Sequence, residues 1–172
     1  MLASKESNVQ HAMTVYFDGE KYAGLLLAGS AVAVVVVAAI MFRAGATVRP
    51  FAMTLGILAL AEIVLGLGLY LRTGPQVKRL DQQLRSDPPQ FYSAEAARMS
   101  RVQRTFVAIE YGELFIIVAT AIAAVSLKTR PGLAGVALGL LVSASVLLAF
   151  DLFAEHRGAD YVIAIANGQR PD

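Results

Sequence analysis

With 172 residues, 56% of them apolar and 16% charged, and a mean hydropathy of +0.58, the chain is too apolar for an ordinary soluble domain, where roughly half apolar and a quarter charged is usual. Its net charge of +2, carried by basic residues set beside apolar stretches, fits anionic lipid and not nucleic acid. The lack of cysteine excludes disulfides, thiolate catalysis, iron–sulfur ligation and thiol redox exchange.

In chain order, Met1 to Lys21 is polar and mixed in charge, without the basic start and cleavable apolar run of a secretory signal, so the first span is expected to be retained. Residues 22–42 follow without a charge. The β-branched run from Ala31 to Ile40 would suit a strand in isolation, but its length demands a helix, which satisfies its own backbone in lipid. Arg43-Ala44-Gly45 ends it. The second span, 51–71, begins after Pro50 and closes before the breaker Gly74-Pro75. From Pro75 to Arg85 the spacing predicts a short amphipathic surface helix with Val77, Leu80 and Leu84 on one side, stopped by Ser86-Asp87-Pro88-Pro89. Ser93 is the expected N-cap of a third helix running to Leu127, about 50 Å long at 1.5 Å per residue, whose first turns project from the membrane. The turn at Lys128 to Gly132 leads into the last span, and Asn167-Gly168 is expected to end its extension.

The expected fold is therefore all-α: an integral membrane four-helix bundle, antiparallel and up-down, forming a single domain over 1–172. Its spans are 22–42, 51–71, 105–127 and 132–154, with an extramembrane hairpin over 73–104. Arg43, Arg49, Lys128 and Arg130 crowd one side, while the larger set, including Arg72, Arg101, Arg104 and Arg157, lies on the other. Counting Lys and Arg near the spans places both termini in the cytoplasm.

The ionisable residues within the spans are Glu62, Glu110, Glu113 and Asp151. An acid at the centre of a membrane helix costs roughly 2.5 to 3.5 kcal/mol on insertion scales. Measured from Arg72, Arg104 and Arg157, these four lie about 9 to about 15 Å into the same half of the membrane. Glu110 and Glu113 share a face, Asp151 shares one with Glu155, and Glu62 lies with Ala59, Gly66 and Tyr70, so three helices can present acid to one axis. The structural explanation pairs Glu110 or Glu113 with Arg104 or Arg72, and Asp151 with Arg157 or His156. The functional one makes Glu62, Glu110, Glu113 and Asp151, with Tyr70 as hydrogen-bonding neighbour, a proton or hard-cation site.

No transition-metal site or cofactor is assigned, because the two histidines, His11 and His156, do not occur in the Glu-x-x-His spacing of di-iron bundles. No catalytic residue is assigned, for want of a phosphate loop or nucleophile elbow. Gly135, Gly139 and Ser143 form a small-residue groove for a neighbouring helix, within the bundle or in a homodimer. Arg98, Arg101 and Arg104 recur every three residues and, with Arg72, are the candidate contacts for lipid headgroups or a partner protein.

Tyr70-Leu71-Arg72-Thr73, Gln76-Val77, Asp87-Pro88, Phe91, Glu95, Arg98-Met99, Val102, Phe106 and the run Asp151 to Glu155 resemble a group of uncharacterised bacterial four-pass membrane proteins. The resemblance covers about a third of the chain; it implies a bacterial inner membrane and carries no activity. The first functional reading is an interaction protein, an accessory subunit or immunity-type protein presenting the 75–104 hairpin to a membrane partner, with the acids structural. The alternative is a proton- or cation-binding protein, a minimal transporter or channel component. A lipid-modifying enzyme stands third.

Overall fold

The computed structural model describes residues 2–169 and consists of four helices, α1 Leu2–Ala44, α2 Arg49–Ser86, α3 Pro88–Ser126 and α4 Pro131–Gln169. All four are long and apolar enough to cross a membrane, and no strand forms among the described residues. The connections are short. Gly45, at φ +157°, ends α1 in a conformation that a side chain would resist. Asp87 alone separates α2 from α3, and its Oδ1 accepts from the Gln90 amide at 3.1 Å.

Three expectations change at this end of the bundle. Pro75 does not break α2, which continues to Ser86, so the separate short helix is absent. An interior proline costs about 3 kcal/mol. Beyond it Leu80 and Leu84 are buried, and a buried leucine contributes about 1.5 to 3 kcal/mol, so two of them match or exceed that cost. Next, α3 starts at Pro88 under the Asp87 cap and not at Ser93, because prolines fit a first turn whose N–H groups are unpaired anyway. Finally, the hairpin does not project freely. The polar N-terminal part of α1 and the C-terminal part of α4 are also helical and close over it; residues 170–172 of the expected tail lie outside the described residues.

Large side chains fill this polar half of the bundle. Met13 and Phe17 of α1, Phe91 and Met99 of α3, and Tyr161 and Ile165 of α4 are all fully buried. Tyr16 stacks on Tyr161 with ring centroids 5.2 Å apart. Arg98 donates to both Glu95 oxygens, at 2.7 and 2.6 Å, and holds its guanidinium 5.6 Å from the Phe17 ring centre.

The apolar half is assembled from small residues. A Cβ on Gly24 would stand 2.6 Å from the Gly66 carbonyl oxygen, so α1 and α2 cross backbone to backbone. The Gly135, Gly139 and Ser143 groove is used within the chain: a Cβ on Gly139 would lie 2.8 Å from Thr54 on α2. Helix α4 packs against all three others, α1 has no close backbone approach to α3, and α2 barely touches α3. The cross-section is a rhombus with α2 and α4 on the short diagonal and the α2–α3 edge open.

Candidate functional site

Helix register decides which acids meet. α3 runs antiparallel to α4, and the pairing that sets Glu113 against Asp151 sets Glu110 against Glu155 one turn further on. Both pairs stand carboxyl to carboxyl within hydrogen-bonding reach. Glu113 is only 8% exposed, and its Oε2 is buried without a hydrogen-bond partner. Glu62 is separate. α2 runs parallel to α4, so the contact of Thr54 with Gly139 continues to Glu62, whose polar neighbour is the Ser143 hydroxyl. Ser143 precedes Asp151 by eight residues, about 12 Å of helix. The sequence-derived convergence of three helices thus resolves into an α3–α4 cluster and a lone buried glutamate on α2.

Among the described residues the ion pairs are Arg85 with Asp81 and Arg98 with Glu95. Among the described residues no basic side chain lies within 4 Å of the four span carboxyls, and the expected pairings with Arg72, Arg104, His156 and Arg157 do not form. Nor do the described residues include a group of three His, Asp or Glu side chains placed to hold a metal ion.

A cavity of about 680 Å³ opens beside the α3–α4 cluster, bounded by Glu20, Arg72, Glu113, Asp151 and Arg157 and otherwise by apolar side chains. Arg157 reaches it across Gly19, where a Cβ would lie 2.6 Å from the arginine Cδ. Its Nε and Nη2 are buried without hydrogen-bond partners. Glu20, the residue after Gly19 along α1, accepts from the Tyr16 hydroxyl at 2.8 Å. Burial, and then the Glu20 charge, push the Tyr16 hydroxyl well above the ordinary phenol pKa, so it remains a donor.

The other candidates fall in different places. Tyr70 is 40% exposed and is not a neighbour of Glu62. Arg98 is committed inside the bundle to Glu95. Arg72 and Arg101 are exposed at the border between the two halves, and Arg104 is exposed with its Nε on the Ser100 carbonyl. Sequence reasoning missed Glu20, Gly19 and the cavity position of Arg157. Glu20 had a signal, lying one turn from Tyr16 and one from Gly24 on the face that crosses α2; the seat of Arg157 on Gly19 had none, since it depends on how α1 meets α4. No protein-family model, curated protein or solved structure matches this chain.

Proposed function

We propose that this is an integral membrane protein, placed in a bacterial inner membrane with cytoplasmic termini, that takes up and releases a proton at the Glu113–Asp151 and Glu110–Glu155 pairs. The observation that carries the reading is the contact of Glu113 with Asp151 in apolar helices, with no basic side chain among the described residues within 4 Å. Two carboxylates at that range cannot both remain ionised in a low-dielectric setting; a shared proton converts repulsion into a hydrogen bond. The adjoining cavity joins the outer one at Glu20 and Arg72, which gives the pair a route toward water at the polar border by Gln76 and Arg101. Loss of the proton weakens the hold of α4 on α3, the helix whose apolar stretch is least buried. The partner-binding reading drew on a free hairpin, and that hairpin's apolar face is covered within the bundle.

The test is thermal unfolding of detergent-solubilised protein from about pH 5 to about pH 9, above the ordinary carboxyl range. The folded pair binds a proton that separated carboxyls release, so the native state holds more protons than the unfolded one and stability falls as pH rises. Glu113→Gln keeps a donor to Asp151 at every pH and should flatten that slope, with Glu62→Gln as a comparison outside the cluster. Superimposable pH profiles for wild type and Glu113→Gln would remove the proposal. Restoration of high-pH stability by sodium or calcium would replace the proton with a cation.

A further inference from the structure

The open α2–α3 edge leads into more than the carboxyl cluster. An outer cavity of about 630 Å³ is bounded by Glu20, Arg72, Gln76, Arg101, Thr105 and Phe106. It shares Glu20, Arg72, Phe106 and Ile109 with the inner cavity, so the two form one groove. Its mouth is basic and its inner walls are apolar, with Leu65, Leu69, Leu147 and Phe150 beyond Phe106.

Arg72 follows directly on the apolar stretch of α2, and Arg101 precedes that of α3 by four residues. Both guanidiniums therefore stand where the phosphates of a bilayer lie, both are exposed, and neither forms an ion pair among the described residues. A guanidinium matches the paired oxygens of a phosphodiester. Behind the mouth, Arg157 adds two buried N–H donors that no group among the described residues satisfies, a state that costs free energy unless an acceptor arrives. Glu20 and Asp151 on the same walls disfavour a small free anion, whereas an amphiphile also gains from burying its chain.

We propose that the α2–α3 groove is a phospholipid site, holding the phosphodiester at Arg72 and Arg101 and one acyl chain against Leu65, Leu69, Phe106 and Phe150. The site shares its inner cavity with the carboxyl cluster, but neither arginine belongs to that cluster, so loss of lipid retention in the arginine variants and loss of the pH slope in Glu113→Gln are separate outcomes.

The experiment is native mass spectrometry and thermal unfolding of the full chain in detergent, titrated with dioleoylphosphatidylglycerol. One lipid per chain should be retained, with a rise in unfolding temperature. Arg72→Gln with Arg101→Gln should weaken retention about thirtyfold, while Lys78→Gln with Arg79→Gln, on the exposed part of α2 beyond Pro75, leaves it unchanged. Equal retention by the two double variants would overturn the proposal, as would equal binding of dioleoylglycerol, which lacks the phosphate. Stabilisation by inorganic phosphate alone would reassign the groove to a soluble anion, and a dimer that excludes lipid would reassign it to a second copy of the chain.

Discussion

The two halves of this bundle are held together by opposite means. In the polar half, aromatic and methionine side chains fill the interior and an arginine is locked on a buried glutamate. In the apolar half, helices touch where glycine lets backbones meet, and the remaining space is a carboxyl-lined cavity. This is the difference expected of a bundle with its polar half in water and its apolar half in lipid. Where water competes, burying large side chains drives assembly; where neighbouring lipid is as apolar as leucine, burial gains little and close backbone approach takes over. A half that does not depend on filling its interior can keep a cavity and ionisable groups there, which is why the candidate site lies in it.

The largest effect should come from breaking the polar half at its charge. Arg98→Met leaves Glu95, 2% exposed, without its partner and should lower unfolding free energy by about 3 to 5 kcal/mol in detergent. Much of that loss should return in Arg98→Met with Glu95→Leu, because the isolated charge and not the missing contact is the main cost. Leu84→Ala, in the same core, should cost about 2 to 5 kcal/mol. Leu65→Ala, 59% exposed in the apolar half, should cost far less. Equal losses for the two leucines would break the comparison.

The glycine crossing tests the other half. A Cβ on Gly66 would stand 2.9 Å from the Ala28 amide nitrogen as well as against Gly24, whereas one on Gly68 meets nothing within 4 Å. Gly66→Ala should therefore cost about 1 to 3 kcal/mol. Gly68→Ala, two residues away on the same helix, should stabilise by about 0.5 to 1 kcal/mol through the entropy of the unfolded chain.

How much of this was legible in the sequence depends on whether a feature is local. The four apolar stretches needed only length and scarcity of charge, so the helices and their up-down order could be read directly. Pro75 could not, since the local rule for a break was overruled by Leu80 and Leu84, whose burial requires helices far away in the chain. The acids divide the same way. Depth placed Glu113 and Asp151 at similar levels, but their meeting, and the separation of Glu62, follow from the register of α4 against α3 and α2. Arg98 was one of three evenly spaced arginines, marked in the sequence by Glu95 three residues before it; that this pair is buried depends on Phe17 across the bundle.

The smallest predicted effect sharpens what kind of contact holds the polar half. Arg85 with Asp81 repeats the chemistry of Arg98 with Glu95 at nearly the same helical spacing, an i, i+4 pair against an i, i+3 pair, with a bond of 3.1 Å. Its arginine side chain is 71% exposed, where that of Arg98 is 25% exposed. Water screens the first pair, and Asp81 keeps the bond its Oδ1 accepts from Gln10 at 2.8 Å when the arginine is removed, so Arg85→Gln should change stability by about 0.3 to 0.5 kcal/mol. A loss several times larger would mean that the polar contact of α1 with α2 at Gln10 and Asp81, and not the interior beneath it, clamps this end of the bundle. The assignment of this half's stability to buried side chains would then have to move to that contact.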